Sequence, residues 1–166
     1  MKLLQVELEH YEKVQGDKLS LEGKANRLGQ LIRQNFPMAL QGLIVVPIFG
    51  GFDLRRTEGR LFRYDATGGR WEEEDFMSTG SGGRPAKSSL KKLWKRGLSR
   101  DEAVRVAVEA LRDAAQEDVA TGGPDPTRGI YPLVKIVTAG GVEDVSNEEV
   151  RRVYETMIAG EQGEAS

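Results

Sequence analysis

The residue types that most often carry out catalysis or hold metals are scarce in this chain of 166 residues. It has no cysteine, and His10 is its single histidine. A cysteine nucleophile, a Cys/His zinc site, a disulfide scaffold and an ordinary Ser-His-Asp triad are therefore all hard to build. His10 lies between Glu9 and Tyr11, which indicates a surface position. Any catalysis must use carboxylates, hydroxyls, lysine or backbone groups.

Two glycine-rich segments could position such groups. Gly80, Ser81 and Gly82 lead into a predicted helix, whose first N–H groups can bind an anion. The segment lacks the signatures of a phosphate loop, a dinucleotide site and a serine nucleophile, so by itself it favours a tight turn. In residues 122–132, glycines and prolines surround Asp125 and favour a loop of one defined shape. There Asp125 is either a functional carboxylate or a side chain that bonds its own loop.

The hydrophobic pattern predicts elements that group rather than alternate. Helices are predicted from Leu3 to Lys13, from Ser20 towards Leu40 with a kink or early end at Pro37, between Gly83 and Gly97, and after capping boxes at Ser99 to Glu102 and Ser146 to Glu149. Strands are predicted within Gly42–Gly51 as a run buried on both faces, within Arg60–Asp65 and Arg70–Phe76 as a hairpin, and within Leu133–Thr138 and Val142–Val145 as a second hairpin. This order predicts one α+β domain with mainly antiparallel sheets covered by helix pairs.

The composition is that of a globular domain near charge balance. The chain carries 24 Lys and Arg against 26 Asp and Glu, and no segment reaches the roughly 18 apolar residues of a membrane span. An N-terminus that turns acidic early argues against a secretory signal, so we expect a soluble, cytoplasmic protein. The 20 glycines include five Gly-Gly pairs, whose uneven spacing indicates turns between elements rather than a repeat.

Residues 84–100 are rich in lysine and arginine and contain no acid. They could form a nucleic-acid patch. We favour a solvated helix face or subunit interface, because Trp94 is the only aromatic residue among them and acidic partners such as Glu102 and Asp113 follow on the next helix.

Taken together, these stretches resemble the β-type subunit of the bacterial 20S proteasome. The matching segments follow the order of that family and cover nearly the whole chain: Val6–Lys13, Gly23–Leu28, Gln41–Pro47, Gly80–Gly82, Ala86–Lys92 and Ala120–Pro132. The resemblance implies an N-terminal-nucleophile hydrolase fold, an αββα sandwich of two antiparallel sheets between helical layers.

The resemblance also implies a chemistry that needs no histidine. In that family a threonine exposed by propeptide cleavage is the nucleophile, and its own amino group is the general base. Ser81 and Asp125 match the supporting serine and aspartate that orient this threonine and its amine. Arg128 stands where many members carry a serine of the same network, so the usual hydrogen-bond pattern is not expected there.

The family's opening strands, which carry the nucleophilic threonine, have no counterpart here. The first threonine is Thr57, so the chain as given holds a support shell without a nucleophile, and we expect no peptide hydrolysis from it alone. The N-terminal pattern enters a helix without a cap, and we favour a shortened version of an active threonine endopeptidase whose natural start lies upstream of Met1. The alternatives are a naturally shortened, non-catalytic structural subunit and an independent binding module.

We expect residues 1–160 to form a β-type domain incomplete at its N-terminus, and residues 161–166 to form a frayed polar tail. The resemblance implies other β-type subunits and α-type subunits as partners, in stacked rings fed with unfolded protein by an ATP-driven ring. No cofactor, metal, nucleic acid or membrane is expected to take part.

Overall fold

The chain is α+β, with its strands in two groups, as the pattern predicts. The computed structural model describes the backbone of residues 2–43 and 45–164, and the side chains of residues 3–43 and 45–160. Its elements are α1 (Lys2–Gln15), α2 (Leu21–Gln34), α3 (Phe36–Ala39), β1 (Ile48–Asp53), β2 (Glu58–Tyr64), β3 (Arg70–Glu73), α4 (Gly83–Leu93), α5 (Arg100–Glu117), β4 (Lys135–Thr138), β5 (Gly141–Asp144) and α6 (Asn147–Glu164). By their contacts the residues divide into two compact units, 1–74 with 137–141 and 75–136 with 142–166.

The first unit is built on an antiparallel sheet in the order β1-β2-β3. Its core is the fully buried Phe62 with Ala25 and Tyr64, against which apolar side chains of α2 and β1 pack. The Tyr64 hydroxyl donates to the Ala25 carbonyl over 2.8 Å. Burial raises the pKa of Tyr64 to about 12, so this hydroxyl keeps its proton and its donor role.

The turn between β2 and β3 touches α2 at a point where only glycine fits. Gly68 has φ +82°, and a Cβ there would lie 2.4 Å from the Gly29 carbonyl oxygen. Asp65 holds the turn, because its Oδ1 accepts from the Thr67 N–H at 2.9 Å, the Thr67 hydroxyl at 2.8 Å and the Gly69 N–H at 2.8 Å.

The strand predicted within Gly42–Gly51 is wrong in its start and its burial. The observed β1 begins only at Ile48, and Val45 is 76% exposed. Pro47 has no N–H to offer a ladder, so pairing begins after it. β1 also lies at the edge of its sheet among the described residues, and most of its residues are only partly buried.

Arg60 of β2 is a buried charge with three carboxylate partners. Its guanidinium contacts Glu72 at 2.6 Å, Asp53 at 3.0 Å and Glu22 at 3.9 Å. The Glu72 hydrogen bonds raise the pKa of Arg60 further. A buried guanidinium with this many partners ties β2 to its neighbours instead of being an uncompensated charge.

The second unit contains α4, α5, α6 and most of the hairpin β4-β5. Its core joins α5 and α6 through Val104, Val108, Val150 and Met157, with Tyr131 packed edge-on against Tyr154 at 5.9 Å. The first predicted capping box is confirmed, because Ser99 and Glu102 exchange side-chain and backbone hydrogen bonds.

At the second predicted box, the Ser146 hydroxyl accepts from the Glu149 N–H over 3.2 Å. The helix it opens, α6, continues past Gly160 to Glu164. The predicted frayed tail began at residue 161, and Ala165 and Ser166 of that tail lie outside the described residues. No helix in the described part of the chain has the length and apolar character to cross a membrane.

Candidate functional site

Ser81 lies in a tight turn at the start of α4, in the second unit. The Gly83 N–H donates to the Gly80 carbonyl over 3.1 Å, and the Ser78 hydroxyl donates to the Gly83 carbonyl over 2.6 Å. Gly80 has φ +95°, a backbone conformation that favours glycine. The turn presents Ser81 at the surface.

Gly82 brings this turn against the end of α5. It is buried, and a Cβ at this position would lie 2.5 Å from the Thr121 hydroxyl oxygen and 3.1 Å from the Ala114 Cβ. The absence of a side chain therefore lets the turn approach α5 closely. Ser81, the serine that the motif predicts, therefore lies beside the segment that follows α5.

The partner of the Ser81 hydroxyl is the Asp118 carboxylate. Asp118 is the residue that ends α5, and its N–H donates to the Ala114 carbonyl over 2.9 Å. Its Oδ2 accepts from the Thr121 hydroxyl at 2.5 Å, and its Oδ1 from the Ala120 N–H at 3.5 Å. The Ser81 and Thr121 hydroxyls hold the pKa of Asp118 below its usual range, so this carboxylate is ionised at neutral pH.

Asp125 lies a few residues further on, in a loop that closes on itself. Its N–H and carbonyl both pair with Ile130, over 2.8 and 2.9 Å. The Asp125 Oδ1 accepts from the Arg128 N–H at 3.1 Å, and Oδ2 lies 3.9 Å from the Arg128 Nε. These contacts show that the Asp125 side chain bonds its own loop, and a functional role for its carboxylate stays a prediction.

The base of this loop is fixed by the core of the same unit. Tyr131 is buried against Tyr154, and the Asn147 side chain donates to the Gly129 carbonyl over 3.2 Å. Arg128 itself is largely exposed. The loop therefore holds Asp125 in one shape while leaving part of its carboxylate accessible.

Asp118 and Thr121 are the two site residues that sequence reasoning missed. The available signal was electrostatic: a carboxylate just after the last turn of a helix faces the negative end of the helix dipole and needs donors nearby. The Asp-x-x-Thr spacing supplies one of them.

Basic side chains of residues 84–100 contact acidic side chains within the second unit. Lys95 lies 3.9 Å from Glu102, Arg96 lies 3.6 Å from Asp75, and Arg100 bonds Glu149 and Glu143 at 2.5 Å each. The remaining basic side chains of α4 are exposed. His10 is exposed as predicted, and the described residues contain no group of three or more His, Asp or Glu side chains that could hold a metal ion.

The amino-acid sequence of this chain is similar to those of known proteins. A family model described as "Proteasome subunit" matches residues 1–125, a range that contains Ser81 and Asp118 and ends at Asp125. The chain is 54% identical over 153 residues to the proteasome subunit beta of Acidimicrobium ferrooxidans, covering 90% of this chain and 56% of that protein.

Two other relatives are similar to nearly the same degree. The proteasome subunit beta of Acidothermus cellulolyticus is 54% identical over 163 residues, with 96% of this chain and 56% of that protein covered. That of Frankia casuarinae is 52% identical over 159 residues, with 96% and 58% covered. The chain thus spans a little over half the length of these curated relatives.

Proposed function

Because the chain belongs to the proteasome subunit family and is of the β type, we propose that it serves in a 20S proteasome core particle as part of a threonine-type endopeptidase. Its α+β architecture with antiparallel sheets is consistent with an N-terminal-nucleophile hydrolase sandwich. The particle would degrade unfolded protein in the cytoplasm, inside stacked rings of β-type and α-type subunits that an ATP-driven ring supplies.

The observation that carries this proposal is the fixed position of Ser81. A turn that admits only glycine at residue 82 holds Ser81 against Asp118, at the surface of the second unit. Such a hydroxyl is suited to orient another group rather than to attack a substrate, because the carboxylate that contacts it has a lowered pKa and is therefore a weak general base.

In this proposal Ser81 and Asp125 orient the nucleophilic threonine of the particle and its amine. The amine takes the proton of the threonine hydroxyl, whose oxygen then attacks the peptide carbonyl. Residues 1–166 supply no such threonine: the first, Thr57, lies at φ +57° in the turn between β1 and β2. In this proposal the nucleophile is a threonine outside residues 1–166.

The second candidate is a non-catalytic structural subunit, the alternative for a particle in which no β-type N-terminal threonine acts as nucleophile. Expression of the complete reading frame together with an α-type partner distinguishes the two. We expect assembled particles that hydrolyse fluorogenic peptides, with an epoxyketone adduct on a β-type N-terminal threonine identified by mass spectrometry.

Particles that neither hydrolyse peptides nor react with the epoxyketone would support the structural subunit instead. Asp125→Asn should lower kcat in an active particle. Asp144→Asn, at an exposed aspartate of β5, is the matched control and should leave kcat unchanged.

A further inference from the structure

Thr57 has an unusual backbone conformation for its residue type. It is the last residue of the turn between β1 and β2, residues 54–57, and in the described part of the chain it alone among non-glycine residues has a positive φ, +57°. A β-branched side chain is strained in this left-handed region, which glycine would occupy freely. Strained residues concentrate at functional positions, so the strain is grounds for assigning the Thr57 side chain a function.

The Thr57 hydroxyl takes no part in holding this turn. Asp53 holds it, because its carbonyl accepts from the Thr57 N–H over 2.7 Å and its Oδ1 from the N–H groups of Arg55 at 3.0 Å and Arg56 at 3.3 Å. The hydroxyl itself has no hydrogen-bond partner among the described residues, and Thr57 is exposed. It is therefore available to a group from outside the chain.

The threonine of the next hairpin turn shows the opposite arrangement. Thr67, between β2 and β3, is also exposed, but its hydroxyl donates to Asp65 over 2.8 Å and helps to hold the turn. No arginine or lysine stands at the two positions before it, whereas two arginines precede Thr57. The two turns of one sheet thus offer a free threonine beside positive charge and a bonded threonine without it.

Arg55 and Arg56 place two exposed positive charges directly before Thr57. Arg55 has no carboxylate within 4 Å among the described residues, and Arg56 has only Glu58, at 3.7 Å, with both side chains more than half exposed. Such an exposed pair is weak, so a stronger anion can compete for Arg56. A phosphate dianion is such an anion, because guanidinium groups bind it through charge-assisted hydrogen bonds.

We propose that Thr57 is a phosphorylation site for a protein kinase that selects arginine before its acceptor. The threonine oxygen bonds to the γ-phosphorus of ATP, the bond from that phosphorus to the β–γ bridging oxygen breaks, ADP leaves, and the hydroxyl proton passes to the catalytic carboxylate of the kinase. Strain at Thr57 lowers the cost of opening the turn for the kinase, because opening releases it. The inference does not depend on the peptidase activity proposed above.

The two arginines act at both stages of this modification. Carboxylates of the kinase bind them before transfer, and the new phosphate binds them afterwards. The net charge of residues 54–57 then falls from that of two arginines to about zero at pH 7. Phosphorylation therefore removes the positive charge from the tip of this hairpin.

Phosphate transfer to the 166-residue chain tests the proposal directly. The chain is incubated with ATP, Mg²⁺ and the catalytic domain of an arginine-directed serine/threonine kinase, and the acceptor is located by mass spectrometry. We expect phosphate on Thr57. Arg55→Ala and Arg56→Ala should each lower the kcat/KM of the kinase about tenfold, the effect of losing one charge-assisted hydrogen bond. Lys18→Ala removes an exposed charge elsewhere and should leave it unchanged.

Ser99 is a matched control for the acceptor. It is exposed and follows a basic pair at positions 95 and 96, but its hydroxyl accepts from the Glu102 N–H as the cap of α5. Phosphate on Ser99 or Thr67 with none on Thr57, or no phosphate on the chain, would overturn the proposal. Equal kcat/KM for wild type and both arginine variants would refute the recognition by arginine.

A thermal measurement separates this role from a structural one. Thr57→Val keeps the shape and the strain of the side chain and removes only a hydroxyl without a partner, so Tm should stay the same. Thr67→Val removes the bond to Asp65 and should lower Tm. An equal loss of Tm in the two variants would mean that the Thr57 hydroxyl serves the fold, and it would contradict the proposal.

Discussion

Gly82 is the residue on which the contact between the Ser81 turn and α5 depends. Gly82→Ala puts a methyl group 2.5 Å from the Thr121 hydroxyl oxygen, so the turn must move away from α5. We expect a loss of about 2 kcal/mol in the free energy of unfolding, the usual cost of overpacking. Urea denaturation measures it. Gly122→Ala is the control, since a Cβ there meets nothing within 4 Å, and an equal loss in both variants would contradict this account.

Arg60 offers a second prediction at the residue scale. Arg60→Ala leaves Glu72 and Asp53 without their shared partner, and we expect a loss of about 3 kcal/mol in the free energy of unfolding. Arg63, on the same strand, also pairs with a glutamate and stacks on an aromatic ring, but it is 44% exposed. Arg63→Ala should cost about 0.5 kcal/mol. Similar losses in the free energy of unfolding for Arg60→Ala and Arg63→Ala would show that burial does not determine the size of the loss.

At the scale of single residues, the sequence reveals residue types and motif spacing, but not the hydrogen-bond partners that lie far apart along the chain. Ser81 and Asp125 are recognisable from their motifs, and His10 from its polar neighbours. The bond from Ser81 to Asp118 joins a turn to the end of a helix 37 positions later, which no local pattern encodes. The supporting roles of Ser81 and Asp125 remain predictions.

The capping box of α5 stabilises the start of this one helix, so its effect on stability is local. Ser99→Ala removes the hydroxyl that accepts from the Glu102 N–H at 3.3 Å. It therefore breaks one of the two reciprocal hydrogen bonds of the capping box. We expect a loss of about 1 kcal/mol in the free energy of unfolding. Ser88→Ala removes a serine that only bonds back to the Arg84 carbonyl within α4, and it should be neutral in the same urea experiment.

The turn between β2 and β3 makes stability depend on pH. Hydrogen bonds from Thr67, and then from Gly69, lower the pKa of Asp65 in the folded state. A carboxyl with a lowered folded pKa contributes stability above its unfolded pKa, about 3.9, and loses that contribution as pH falls through the folded value. Asp65→Asn should therefore lower Tm at pH 7, and the difference from wild type should vanish towards pH 2.

The comparison for this prediction is Asp17→Asn, at an exposed aspartate in the turn after α1. Its Tm should follow that of the wild type at each pH. A difference between Asp65→Asn and wild type that persists unchanged at pH 2 would mean that the Asp65 charge is not what holds the turn.

Elements were predictable where a local signal defines both ends. Ser99 and Glu102 mark the start of α5, and Pro37 marks the break between α2 and α3. The burial predicted for the strand before Gly51 is wrong because an apolar run does not reveal which elements pack on the two faces of a strand. Burial on both faces is a property of the sheet, not of the segment.

At the scale of the whole molecule, the chain leaves an apolar surface in its first unit without cover from the described residues. Leu40, Leu43 and Val45 are 74%, 62% and 76% exposed, beside a cavity of about 630 Å³ that α1, α2 and β1 line with apolar side chains. Exposed apolar surface of this kind drives association in water. Because the chain spans just over half the length of its relatives, this surface is where we expect the isolated chain to differ from an assembled subunit.

We therefore predict that the isolated chain self-associates, and that the apolar surface is the cause. Leu43→Lys with Val45→Lys should shift sedimentation towards monomer, because two charges cannot be buried without partners. Leu54→Lys places one such charge, against two in the double variant, on an exposed leucine of the turn after β1, outside the cavity lining. It should leave association unchanged. If Leu54→Lys dissociates the chain as fully as the double variant, net charge rather than this surface controls its association.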